Sequence, residues 1–180
     1  MSRKQTWWVA AVVASIALAA GLSLALRHFA TSGAGMSAEA FFAQTFNDLD
    51  GQPVEMTRWK DRIVVVNFWA TWCPPCVEEM PDLQRVHDEY MSRGVTVVGL
   101  GIDSPAALKR FRDQHGLSLP LFAAGASGSE LGRTLGNPSG ALPYTILVDR
   151  TGRIVQARLG QVQPAELRRW LDAQAGVSPR

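Results

Sequence analysis

The run Ile63-Val64-Val65-Val66-Asn67-Phe68-Trp69 ends four residues before the first of the chain's only two cysteines, Cys73 and Cys76. A run of β-branched and aromatic residues without polar alternation predicts a central strand covered on both faces. The segment after the cysteines has helical periodicity, with Val77, Met80, Leu83, Val86 and Tyr90 on one side and Gly94 as its stop. Cys73 therefore falls where a strand ends and a helix begins, and Cys76 lies one helical turn on. Free N–H groups and the positive dipole end of a helix favour thiolate over thiol at such a position. A free cysteine titrates near about 8.5, and cysteines in settings of this kind at roughly 3.5–7.5. An exposed dipole contributes only about 0.3–1 kcal/mol, so direct N–H contacts to the sulfur must supply most of such a shift. Pro74 and Pro75 fit the first turn, where their missing N–H groups are not needed.

This arrangement points to thiol–disulfide exchange, with Cys73 attacking and Cys76 resolving. Other readings stay open at this point. A zinc site takes four ligands, and the chain offers one cysteine pair and three scattered histidines. A purely structural disulfide closing so short a loop stabilises by only about 2 kcal/mol. A copper site would need a third soft or imidazole ligand, from His87 or His115. A peroxidase of related fold would use a lone cysteine rather than a pair. The redox reading requires no cofactor.

Charge separates the chain into two parts. Arg3, Lys4 and Arg27 are the only charged residues before position 28, and Trp7 to Leu26 is an uncharged apolar run. Twenty residues span about 30 Å as a helix, the thickness of a bilayer core. An uncleaved signal anchor is expected over 7–26, with residues 1–6 cytoplasmic by the positive-inside rule and the rest of the chain outside. A cleaved signal peptide is the competing reading, but its apolar region would be shorter. Residues 27–38 read as a flexible tether, 39–176 as the folded domain and 177–180 as a tail. Beyond Arg27 the chain is close to neutral, with no basic stripe, so nucleic acid is not an expected partner.

Within the domain, Phe46 to Met56 reads as a hairpin turning at Asp48-Leu49-Asp50-Gly51. Val95 to Ile102 is a second buried strand, and Ser104 and Pro105 make an N-cap and first turn for a helix ending near His115. A short strand at Leu119 to Ala123 and a short helix from Ser129 to Leu135 follow. Tyr144 to Val148 and Ile154 to Leu159 pair across Asp149-Arg150-Thr151-Gly152, and Pro164 opens a last helix. Pro81 should kink the long helix near Val77. Trp59 is expected in the core and His87 at the surface; His115 is read as a helix cap. The pattern is α/β, a mixed central sheet flanked by helices, with an N-terminal hairpin extension and one N-terminal transmembrane helix.

The block Asn67-Phe68-Trp69-Ala70-Thr71-Trp72-Cys73-Pro74-Pro75-Cys76 resembles the thioredoxin superfamily. Together with the Asp-Leu-Asp-Gly hairpin, Cys76-Val77-Glu78-Glu79-Met80-Pro81 and Leu142-Pro143, it is most similar to the membrane-anchored TlpA/ResA/DsbE group, over roughly residues 40–175. The resemblance implies a thioredoxin-like fold on the outer side of the bacterial inner membrane. It implies a reductant of protein disulfides, such as an apocytochrome c haem-binding pair or the cysteines of a copper-site assembly protein. A membrane thiol-transfer protein would recharge it. By the same resemblance Glu79 is an active-site glutamate, Pro143 a cis-proline facing the cysteines, and Trp72 and Leu142 part of the partner surface. Thioredoxins themselves carry a buried aspartate where this chain has Asn67. Asn67 takes no proton, which leaves Glu79 as the proton carrier.

Overall fold

The structure, a computed structural model, describes residues 35–175; the expected anchor, most of the tether and the tail lie outside the described residues. Among the described residues no helix is long and apolar enough to cross a membrane.

A four-residue helix, α1 (Glu39–Phe42), precedes the hairpin of β1 (Thr45–Asp48) and β2 (Pro53–Glu55). Asp48 holds that turn, its Oδ1 accepting from the backbone N–H groups of Asp50 at 2.9 Å and Gln52 at 2.8 Å. A 3₁₀ turn at Met56–Trp59 leads into β3 (Ile63–Trp69), then α2 (Pro74–Tyr90), β4 (Val95–Gly101) and α3 (Pro105–His115). β5 (Leu121–Ala123), α4 (Gly125–Thr134), β6 (Tyr144–Val148), β7 (Ile154–Leu159) and α5 (Pro164–Ala175) complete the described residues. The strands form one seven-stranded sheet in the order β2-β1-β5-β4-β3-β6-β7. β3–β4 and β4–β5 are parallel; the remaining pairs are antiparallel. Gly35, Ser37 and Ala38 run along the start of β7 and the turn before it.

β3 is buried at every position because it has a strand on each side and helices on each face. Val65 and Trp69 point into one apolar layer with Met80, Leu83 and Val86 of α2, Leu108 and Phe111 of α3, and Leu167 and Leu171 of α5. Val64, Val66 and Phe68 point into the other, against Phe41 and Phe42 of α1, Leu131 of α4 and the nearby Met56 and Trp59. Burial of each large side chain is worth about 1.5–3 kcal/mol, so these two layers hold the sheet. Strand alternation puts Asn67 on the Val65–Trp69 face, under α2. The register places Thr145 of β6 directly opposite it. Asn67 and Thr145 are thus polar residues set into an otherwise apolar layer.

Three expectations change. The helix read as starting at Ser129 begins at Gly125, within a Gly-Ala-Ser-Gly-Ser stretch that looks like a loop. Within that stretch Gly128 is closely packed: a Cβ there would stand 2.6 Å from Ala124 Cβ. The α1 helix was not foreseen; Phe41 and Phe42 bury themselves in it. His87 is not at the surface: it is half-buried under β4, with Nδ1 accepting the Val97 N–H at 3.2 Å, and burial lowers its pKa. Pro81 lies within a helix whose assigned range runs unbroken across it. His115 sits in the last turn of α3, its Nδ1 2.9 Å from the Phe111 carbonyl and its ring stacked on Phe111.

Gly99 is closely packed beside β3. A Cβ there would fall 2.5 Å from Leu121 Cδ2 and 3.1 Å from Trp69 Nε1. Gly99→Ala is expected to lower stability by about 1–3 kcal/mol, read as a shift of the urea midpoint at unchanged slope.

Candidate active site

Cys73 is the N-cap residue of α2, with extended backbone, and Pro74 and Pro75 occupy the first turn. The two cysteines form a disulfide with their Cα atoms 5.3 Å apart. Cys73 is 5% exposed and Cys76 fully buried, so an incoming thiolate or disulfide meets Cys73 first. Beside them Trp72 is 65% exposed, a large aromatic held in solvent at the rim of the site.

The loop between β3 and Cys73 is fastened to the neighbouring β4–α3 connection. The Thr71 hydroxyl donates to Asp103 Oδ2, and Asp103 Oδ1 accepts the Ser104 N–H. The Ile102 N–H donates to the Trp69 carbonyl at 2.8 Å. Ser104 Oγ in turn caps α3 through the Ala107 N–H. Sequence reasoning gave Asp103 no role.

Pro143 follows a cis peptide bond from Leu142 and immediately precedes β6. Tyr144 pairs with Phe68, which sets Pro143 at the end of the sheet where β3 delivers the cysteines. Leu142 is half-buried and Pro143 buried. The Pro143 carbonyl accepts the Gly160 N–H at 2.8 Å, tying this segment to the β7–α5 connection.

Glu79 lies one turn beyond Cys76 on the inward side of α2 and is 1% exposed. Its Oε1 accepts from Asn67 Nδ2 at 2.8 Å, and its Oε2 accepts from the Val162 N–H at 3.0 Å. Asn67 Nδ2 also donates to Thr145 Oγ1 at 2.9 Å. Burial raises the Glu79 pKa to about 7, against the two hydrogen bonds, from Val162 and Asn67, that favour the carboxylate. A carboxyl poised near neutrality accepts and returns a proton at physiological pH. The neighbouring Glu78 is exposed to solvent.

The structure thus gathers Cys73, Cys76, Trp72, Leu142 and Pro143 at one end of the sheet, with Glu79 set beneath on the inner face of α2. Asn67, Thr145 and Val162 complete the Glu79 environment. Thr145 was read only as a strand residue, although a threonine opposite a buried asparagine is a detectable signal once register is known. Among the described residues no three of His, Cys, Asp and Glu cluster as metal ligands. A cleft of about 700 Å³ lies elsewhere, lined by residues including Arg58, Trp59, His87 and Arg112 and by none of the redox residues.

A mixed sheet with helices on both faces and a Cys-Pro-Pro-Cys disulfide opening a helix define a thioredoxin-fold thiol–disulfide oxidoreductase. The Redoxin family model matches residues 34–171, and the chain belongs to that family. The chain is 30% identical over 161 residues to the thiol-disulfide oxidoreductase ResA of Halalkalibacterium halodurans, covering 88% of each sequence. A thiol:disulfide interchange protein of Chlorobium tepidum superposes with a TM-score of 0.67 at 26% identity, over 74% of this chain and 93% of that one. A DsbF homologue from Corynebacterium diphtheriae gives a TM-score of 0.63 at 31% identity, over 72% and 83% respectively.

Proposed function

We propose that the protein is an extracytoplasmic reductant of specific protein disulfides, held at the bacterial inner membrane by residues 7–26. The cysteines of an apocytochrome c or of a copper-site assembly protein are the substrate class that the family resemblance favours. The observation that carries a proton-coupled exchange is Glu79, a buried carboxyl one turn behind Cys76 with a pKa of about 7.

In the reduced protein the Cys73 thiolate attacks one sulfur of the substrate disulfide. The other substrate sulfur leaves as a thiolate and takes a proton from solvent. Cys76 then gives its proton to the Glu79 carboxylate, and its sulfur attacks Cys73 in the mixed disulfide. That closes the Cys73–Cys76 bond and expels the second substrate thiolate, which is protonated in turn. Two electrons pass to the substrate, and the protein is left oxidised. A membrane thiol-transfer protein restores the dithiol by the reverse exchange. Glu79, once protonated, has no reason to ionise beside a negative sulfur until the thiolate is consumed. Trp72, Leu142 and Pro143 bind the substrate chain as a short added strand.

The direction is tested by the Cys73–Cys76 reduction potential in glutathione redox buffers. A reductant is expected below about −220 mV; a value near −120 mV marks an oxidant and overturns this reading.

A further inference from the structure

Among the described residues each oxygen of Glu79 has one partner. Oε2 faces the Val162 N–H, a group that only donates. Oε1 faces Asn67 Nδ2, which in this orientation also only donates. The arrangement is therefore made for the carboxylate. When Glu79 takes up a proton, the position that can be hydrogen-bonded within this set of partners is on Oε1 toward Asn67, because the Val162 N–H beside Oε2 cannot accept. On Oε1 it meets an amide NH₂ that cannot accept it. Asn67 Oδ1, the acceptor the proton needs, is buried with no hydrogen-bond partner among the described residues.

We propose that the Asn67 amide turns over when Glu79 changes protonation state, making Asn67 and Thr145 a positioning pair that adapts to the proton. With Glu79 ionised, Nδ2 donates to Oε1 and to Thr145 Oγ1 at 2.8 and 2.9 Å. With Glu79 protonated, a rotation of about 180° about the amide torsion, where two-fold exchange is cheap, puts Oδ1 in the same place. Oδ1 then accepts from the Glu79 O–H and from the Thr145 hydroxyl. Thr145 follows because a hydroxyl both donates and accepts; a valine of the same shape could do neither. The turn carries Nδ2 to the place Oδ1 leaves, which has no partner among the described residues, so it is driven only by the two hydrogen bonds that Oδ1 gains; an aspartate at the same position would instead add a second buried charge and a like-charge repulsion.

The groups around Glu79 leave this pair in control of the proton. On α2 the titratable neighbours are Cys76 and Cys73, joined in the disulfide, and Glu78, which faces solvent. From β3 and β6 come only Asn67 and Thr145, and from the β7–α5 connection the Val162 N–H. On α5, Glu166, Arg168 and Asp172 are engaged with Arg158, Glu89 and Tyr90.

The inference deepens the proposed role of Glu79, but its test reads titration rather than turnover, so the two fail separately. The full-length oxidised chain is labelled for ¹³C detection of the Glu79 carboxyl and ¹⁵N detection of the Asn67 amide, and titrated from pH 5 to 9. Thr145→Val leaves one buried Nδ2 hydrogen without an acceptor in the ionised state, but only trims Oδ1 from two donors to one in the protonated state. The first loss is the greater. The Glu79 midpoint is expected to rise by about half a pH unit or more in Thr145→Val and to return in Thr145→Ser. In wild type the nuclear Overhauser contacts from the Asn67 amide protons to Thr145 are expected above the midpoint and lost below it. A Thr145→Val midpoint equal to wild type, or amide contacts unchanged between pH 5 and 9, overturns the proposal. Because β6 keeps a β-branched residue in Thr145→Val, the test does not depend on a variant that fails to fold.

Discussion

Replacing Glu79 with glutamine will abolish a loss of stability of about 3 kcal/mol that the oxidised wild-type protein shows as pH rises from about 4.5 to above 7. The sign follows from the direction of the shift. Burial lifts the carboxyl from 4.5 in the unfolded chain to about 7 in the fold, so the native state binds the proton more tightly. The stabilisation is complete below the unfolded value and is lost as pH passes through the folded one. Urea unfolding of the disulfide form at intervals from pH 4 to 9 reads this directly. Wild type is expected to weaken along that range while Glu79→Gln follows a nearly flat course, so that the variant is the more stable protein at alkaline pH. Parallel curves would show that Glu79 titrates as an ordinary surface carboxyl. The same substitution removes the proposed acceptor for the Cys76 proton, and a general base of this kind is worth roughly 10²–10⁴ in rate. Exchange by Glu79→Gln should therefore slow by about 10²-fold near pH 7 and lose the wild-type pH profile.

The second large effect separates the two cysteines. Cys76→Ser keeps the exposed attacking sulfur and removes the resolving one, so a substrate disulfide should be captured as a stable adduct on Cys73 and turnover should fall to the uncatalysed rate. Mass spectrometry of the quenched reaction identifies the linkage. Cys73→Ser should give neither adduct nor turnover, because the remaining thiol is fully buried. An adduct on Cys76 in the Cys73 variant would reverse the assigned order. The asymmetry comes from one turn of helix: the N-cap sulfur stands at the rim, and its partner points into the layer beneath α2.

The element that positions the site was legible because its signals are local. An unbroken apolar run, two cysteines at helical spacing and a pair of prolines suited to a first turn fix the strand–helix junction without tertiary information. The hairpins were legible for the same reason, as Asp-Leu-Asp-Gly and Asp-Arg-Thr-Gly each supply a turn. The environment of Glu79 was not. Asn67 sits in a strand whose pattern is apolar at every other place, and its partners are 12 and 78 residues away. Only the antiparallel register of β3 and β6 makes Thr145 its neighbour. The start of α4 at Gly125 was hidden because Gly and Ser are poor helix formers, and Gly128 is used there for close packing against Ala124. His87 looked like a surface residue because its neighbours on α2 are charged. It turns inward to take up a backbone N–H at the edge of β4. Asp103 illustrates the same limit: a residue placed in a connection becomes part of the site because Thr71, 32 residues earlier, reaches it.

The polar trio of Glu79, Asn67 and Thr145 lowers stability relative to an apolar core of the same shape, since buried polar groups recover only part of their hydration through hydrogen bonds. Its location one turn from Cys76 gives a reason for tolerating that loss. The proton released when the disulfide closes needs a destination close to the inner sulfur, and solvent reaches only the outer one.

The ionisation of Cys73 underlies every step, and pH-dependent alkylation of the reduced full-length protein measures it. Iodoacetamide modification of each cysteine, followed by mass spectrometry between pH 4 and 10, yields two separate titrations. The geometry of an N-cap sulfur at the start of α2 predicts a Cys73 midpoint below about 7.5 and a Cys76 midpoint above that of a free thiol. Two coincident midpoints near 8.5, the value of an unperturbed cysteine, would contradict it.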